Sequence, residues 1–167
     1  MQDPASKLIS RWRSLDLLIA RGNSEENIRG FEARNRVMFP TDFRDYLLRV
    51  NGMFQAGGQD CDENGFAFWP LARIKSVRAE YAEHSNPLPE VQNPDGYFVF
   101  VDYLQWCWAY AICLDARPSD GGRIITVGKL PSKVVAGSFT EFVDLYLRDA
   151  YALYVDDAPG ASCGPCR

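Results

Sequence analysis

Tyr97-Phe98-Val99-Phe100-Val101-Asp102-Tyr103 and Trp106-Cys107-Trp108-Ala109-Tyr110-Ala111-Ile112-Cys113-Leu114 stand two residues apart in the second half of the chain. Both runs are rich in aromatic and β-branched residues, and both sets of alternating positions are apolar. That pattern predicts two adjacent central strands covered on both faces. Leu104-Gln105 reads as a two-residue hairpin connection, although neither residue favours the left-handed backbone such turns need. Downstream, residues 115–122 form a turn rich in Pro, Ser, Asp and Gly, and Arg123–Val127 gives another strand. Ser138-Phe139-Thr140-Glu141 is a capping box, with Ser138 at the N-cap and Glu141 three residues on. Phe139, Phe142, Val143, Tyr146 and Leu147 then carry a closing helix.

Upstream the periodicity is helical. Leu8, Trp12, Leu15, Leu18 and Ile19 predict a first helix over residues 4–21, with Gly22 as its stop. Ser24 caps a second, with Glu25 and Glu26 favourable in its first turn and Ile28, Phe31 and Ala33 as its apolar face. Thr41 caps a third, carrying Phe43, Tyr46, Leu47 and Val50 and ending at Asn51-Gly52. Residues 55–65 are an acidic, glycine-rich loop. Phe66, Phe68 and Trp69 give a short strand, and Leu71, Ile74, Val77 and Tyr81 a further helix. Residues 86–95 hold three prolines and form a loop. Helices, then a meander of strands, then a helix, without βαβ alternation, predict an α+β fold with a mainly antiparallel sheet. One domain over residues 1–155 and a flexible tail over 156–167 complete the expected organisation.

The chain has 167 residues, is 47% hydrophobic and carries a formal net charge of −4. That is ample for a packed core and argues against nucleic acid as partner, which demands a basic surface. No apolar run is long enough to span a bilayer, and the N-terminus lacks a signal-peptide layout. An odd count of 5 cysteines fits reduced thiols in the cytoplasm.

Candidate chemistry is sparse. Asp60-Cys61-Asp62-Glu63-Asn64-Gly65 resembles the opening of a calcium loop, but its twelfth position is Leu71, where a bidentate Glu is required. Cys163-Gly164-Pro165-Cys166 spells a redox tetrapeptide, yet only Arg167 follows it in the sequence, too little for the helix that would activate its first thiol. His84 is the single histidine and has no nucleophile elbow to serve. Asp42 and Asp45 sit at a helix start or on an exposed face, where solvation and the helix dipole account for them. Trp69, Trp106 and Trp108 could stack on a ligand, but core packing accounts for most of them. No catalytic residue, metal site or cofactor is expected.

Several segments taken in order resemble the SMI1/KNR4, or SUKH, family. They are Ile28-Arg29-Gly30-Phe31-Glu32, Phe39-Pro40-Thr41-Asp42-Phe43-Arg44-Asp45-Tyr46-Leu47-Leu48, Asn51-Gly52, Phe68-Trp69-Pro70-Leu71-Ala72-Arg73-Ile74, Phe98-Val99-Phe100-Val101-Asp102 and Ser138-Phe139-Thr140-Glu141-Phe142. Phe39 stands where Leu is usual and Val101 where Gly is usual. The resemblance implies a binding role in place of catalysis. Its bacterial members are typically immunity proteins that neutralise toxins, often nucleases, and its fungal members are intracellular scaffolds. An immunity protein is therefore the leading expectation. The alternatives are a scaffold of the same fold, or a metal- or redox-dependent protein using Asp60–Gly65 or Cys163 and Cys166. Glu32, Trp69, Phe100, Ser138 and Glu141 are expected to be structural. Asp60, Asp62 and Glu63, with Asp42 and Asp45, are expected to be solvated carboxylates that steer a basic toxin.

Overall fold

The structure is a computed structural model that describes residues 3–17, 19–53, 61–115, 121–129 and 131–154. The Cys163–Cys166 tetrapeptide, the 156–167 tail and Asp60 lie outside the described residues. Five helices and two antiparallel sheets make the fold α+β: α1 (Pro4–Ser14), β1 (Ile19–Arg21), α2 (Glu25–Asn35), α3 (Thr41–Arg49), β2 (Val50–Met53), β3 (Phe66–Phe68), β4 (Lys75–Ser76), α4 (Val77–Glu83), β5 (Tyr97–Tyr103), β6 (Trp108–Cys113), β7 (Ile124–Val127), β8 (Val134–Ala136) and α5 (Phe139–Arg148).

The main sheet runs β3-β5-β6-β7-β8, and β4 also pairs with β5. One edge of β5 is thus served twice, by β3 opposite residues 101–103 and by β4 opposite 98–99. A bulge at Phe100 shifts the β5–β6 register between Val99 and Val101. Every residue of β6 is buried, as is every residue of β5 but Tyr103. The prediction of adjacent two-faced strands therefore holds. Phe100, 1% exposed, packs against Phe43 of α3 at 5.3 Å between ring centroids and Phe142 of α5 at 5.3 Å, with Phe68 and Phe139 beside them.

Three boundaries differ from the sequence reading, each because a long-range pairing overrides local periodicity. The first helix stops at Ser14; Asp16 turns left-handed, and Ile19 pairs with Met53 in a small second sheet. Gly22 is required by close approach, since a Cβ there would lie 2.0 Å from the Leu48 carbonyl oxygen. α3 ends at Arg49, so Asn51-Gly52 belongs to β2, and the N-cap position is taken by Pro40, with Thr41 the first helical residue. Lys75-Ser76 is drawn into the sheet against Val99 and Phe98; the helix begins only at Val77, where Ser76 caps it. Ala33, expected on the apolar face of α2, is exposed. The strand β8 had no clear signal.

The Ser138 cap forms, its Oγ accepting the Glu141 N–H at 3.1 Å, while Glu141 reaches one residue further back, to the Gly137 N–H at 2.7 Å. Replacing Phe100 by Ala should cost about 3–5 kcal/mol, the usual range for emptying a buried aromatic site. Urea denaturation followed by tryptophan fluorescence measures it, and a loss under about 1 kcal/mol would show that the helix layer does not lean on this ring.

Candidate functional site

The acidic residues proposed from sequence do not form one solvated patch. Asp62 is buried at 6% exposure. Its Oδ1 accepts the N–H groups of Asn64 and Phe66, each at 2.9 Å, and its Oδ2 accepts the Tyr146 hydroxyl of α5. That hydroxyl in turn accepts the Trp12 indole N–H of α1 at 3.1 Å. The carboxylate therefore ties the start of β3 to two helices, which is the physical reason it leaves solvent. Glu63 is exposed and paired with Arg11. Asp42 accepts the backbone N–H and hydroxyl of Thr140 at 2.8 and 2.9 Å, placing a charge on the N-terminal turn of α5. Asp45 is exposed. Glu32 is half-buried and accepts the Phe39 N–H at 3.0 Å, with Arg44 Nε 3.8 Å away. Among the described residues, no group of three or more His, Cys, Asp or Glu side chains could hold a metal ion, and no helix is long and apolar enough to cross a membrane.

Burial is the main reason the Asp62 carboxyl titrates above the ordinary aspartate range, outweighing the stabilising hydrogen bond from Tyr146. A carboxyl whose folded pKa is raised binds more protons folded than unfolded. Its contribution to stability is complete below the unfolded value and is lost as pH rises through the folded one. Lowering pH through that window should therefore favour wild type over Asp62→Asn. Paired urea melts between pH 4 and pH 7 measure the difference, and a gap that stays flat or narrows on acidification would contradict it.

The β5–β6 hairpin is the strained part of the molecule. Tyr103 pairs with Trp108, so the connection has four residues instead of two. Leu104, Gln105 and Trp106 take φ values of 44°, 53° and 71° in succession. Three consecutive non-glycine residues in the left-handed region are costly and persist only where the surroundings hold them. Here the Leu104 N–H donates to the Gly65 carbonyl at 2.8 Å and the Cys107 N–H to the Tyr103 carbonyl at 2.9 Å. Gly65 itself, at φ 88°, has no room for a Cβ beneath Leu104 and Tyr103.

The strained turn presents Trp106 within a row of aromatic side chains. Trp106 lies 5.9 Å from Trp69 and 6.0 Å from Tyr81. The Arg73 guanidinium covers the Trp69 ring with its central carbon 3.9 Å from the centroid. Beneath them Asp102, 3% exposed, accepts the Trp69 indole N–H at 2.6 Å, and Arg73 Nη2 stands 3.6 Å from the same oxygen. Asp102 and the buried Trp69 thereby fix Arg73 and Trp106 at the surface. Leu104, in the same turn, is 45% exposed. Rigid tryptophan and tyrosine beside a stacked arginine is the composition of protein-binding hot spots. Sequence reasoning weighed ligand stacking for Trp106 against core packing and placed it in the strand. The visible signal against it was Leu104-Gln105, too poor a turn to close a two-residue hairpin.

Residues 22–145 match the SMI1 / KNR4 family (SUKH-1). The chain belongs to this family. Comparison with curated proteins gave no match.

Gln105→Gly should stabilise the protein by up to about 1 kcal/mol, because glycine adopts the left-handed region without the 1–2 kcal/mol side-chain penalty. A thermal melt tests this, and a lowered midpoint would mean the turn is not strained.

Proposed function

We propose that this chain is a non-catalytic, cytoplasmic immunity protein that neutralises a bacterial toxin by direct contact. The observation that carries the reading is the row formed by Arg73, Trp69, Trp106 and Tyr81, held by a buried carboxylate and a strained hairpin. Such preorganisation wastes stability unless something binds there: rigid aromatic anchors enter a complex with little further entropy to lose. Membership of the family supports a binding role, and the net charge of −4 suits a basic partner such as a nuclease through faster encounter. Nothing in the row has the geometry of a catalyst. It lacks a nucleophile beside a base, and both of its charges are occupied, Arg73 over Trp69 and Asp102 on the indole N–H.

The test is calorimetric titration against the toxin encoded beside this gene. Trp106→Ala and Arg73→Ala should each weaken binding by about thirtyfold, the scale of a hot-spot side chain worth about 2 kcal/mol. Arg29→Ala, on the exposed side of α2, should leave it unchanged. Unaltered affinity in both variants, with the fold intact, would move the interface elsewhere. Absence of any binding by wild type would remove the immunity reading itself.

A further inference from the structure

At the Trp106 end of this row lies a pocket of about 440 Å³, lined by Glu80, Tyr81, His84, Asn86, Gln105 and Trp106 among others. Two of its walls are aromatic. The Tyr81 and Trp106 rings stand nearly perpendicular, at 81°, and each is half-buried. Gly128, in the left-handed region at φ 92°, borders the pocket beside the Tyr81 hydroxyl.

The third wall is a carboxylate in an unusual state. The Glu80 side chain is only 5% exposed. Its nearest cationic atoms are Lys75 Nζ, 3.5 Å from Oε2, and His84 Nδ1, 3.7 Å from Oε1. Both lie beyond the 2.7–2.9 Å of a charge-assisted hydrogen bond. Both atoms are also engaged elsewhere: Lys75 closes to 2.5 Å on Glu83, and His84 Nδ1 sits 3.0 Å from the Glu80 backbone carbonyl. The contrast with Asp62 and Asp102 is sharp, because each of those buried carboxylates holds a donor at ordinary hydrogen-bond distance. A nearly buried carboxylate held only by two loose ion pairs, one of them shared with Glu83, is costly to keep in place. Lys75 is shared between Glu80 and Glu83, so these three side chains together carry one net negative charge beside the pocket.

We propose that this pocket receives an arginine side chain from the partner protein, its guanidinium hydrogen-bonded to Glu80 and lying against the Trp106 and Tyr81 rings where they meet edge to face. Arginine is the cation that fits. Its guanidinium is planar, weakly hydrated and able to lie on an aromatic face while its edge forms parallel hydrogen bonds to a carboxylate. A compact, strongly hydrated ion would gain nothing from two ring walls, and one carboxylate is too few for a divalent metal. The inference deepens the toxin-binding reading and rests on it for the identity of the partner: a basic toxin would offer the arginine, and the hairpin strain would serve to hold Trp106 against it.

The experiment needs no toxin. Isotope-labelled full-length protein is titrated with the peptide acetyl-Gly-Arg-Gly-amide and with its citrulline counterpart, a neutral isostere, while the Trp106 indole N–H resonance is followed. The arginine peptide should give a saturable shift at Trp106, in about the millimolar range for so small a ligand. The citrulline peptide should bind at least about fivefold more weakly, and Glu80→Gln should lose about tenfold in arginine affinity, the value of one charge-assisted hydrogen bond. If Glu80→Gln fails to fold, Tyr81→Leu takes its place with the same expected loss. No shift at Trp106, equal shifts from both peptides, or undiminished binding by the variant would each overturn the proposal. Those failures leave the toxin-binding reading standing if Trp106→Ala and Arg73→Ala still weaken the toxin complex; loss of toxin binding by wild type, with the peptide shift intact, would do the reverse.

Discussion

The Phe100 ring is the contact through which the two halves of the chain become one core. It projects from the bulge of β5 into a layer made by Phe43 of α3, Phe68 of β3, and Phe139 and Phe142 of α5. The constraint behind it is that β5 and β6 are apolar on both faces, so neither can face water. Helices α1, α3 and α5 bring aromatic residues to one side, and α4 packs on β5. The two short strands that share one edge of β5 exist because that edge also had to be paired.

Three nearly buried carboxylates show how differently the same cost can be met. Asp62 takes two backbone N–H groups and a tyrosine hydroxyl, and becomes a tie between β3, α5 and α1. Asp102 takes the Trp69 indole N–H and stands close to Arg73, and so fixes a surface row in place. Glu80 has only the looser ion pairs of Lys75 and His84. The first is structural, the second positions neighbours, and the third is left with binding capacity to spare. Trp106 stands beside the neighbours of both Asp102 and Glu80, which is why its strained backbone matters more than a single exposed tryptophan would.

Much of the fold was legible. The two-faced strands, the Ser24 and Ser138 caps and the aromatic face of α5 all follow from patterns within a dozen residues, where local chemistry and final structure agree. What failed was local periodicity in competition with a distant partner. Leu18 and Ile19 continue the helical spacing of α1, yet Ile19 goes to Met53. Lys75 and Ser76 interrupt a run that would otherwise be helical, because β5 needed an edge neighbour. The candidate site was scarcely legible at all. An acidic loop looks solvated when nothing in the sequence shows that Tyr146, 84 residues away, will reach Asp62.

The sequence by itself determined the class of fold, the pair of central strands and the helix that closes the core, since each depends on hydrophobic spacing and capping groups a few residues apart. The family resemblance, carried by an ordered set of such short segments, was likewise readable. Tertiary structure alone decided which charges are buried and which surface is rigid. A carboxylate's environment is set by groups that converge from remote parts of the chain. Whether Trp106 is core or surface depends on a turn whose left-handed backbone is imposed by Gly65 and Tyr103, and not by its own residues.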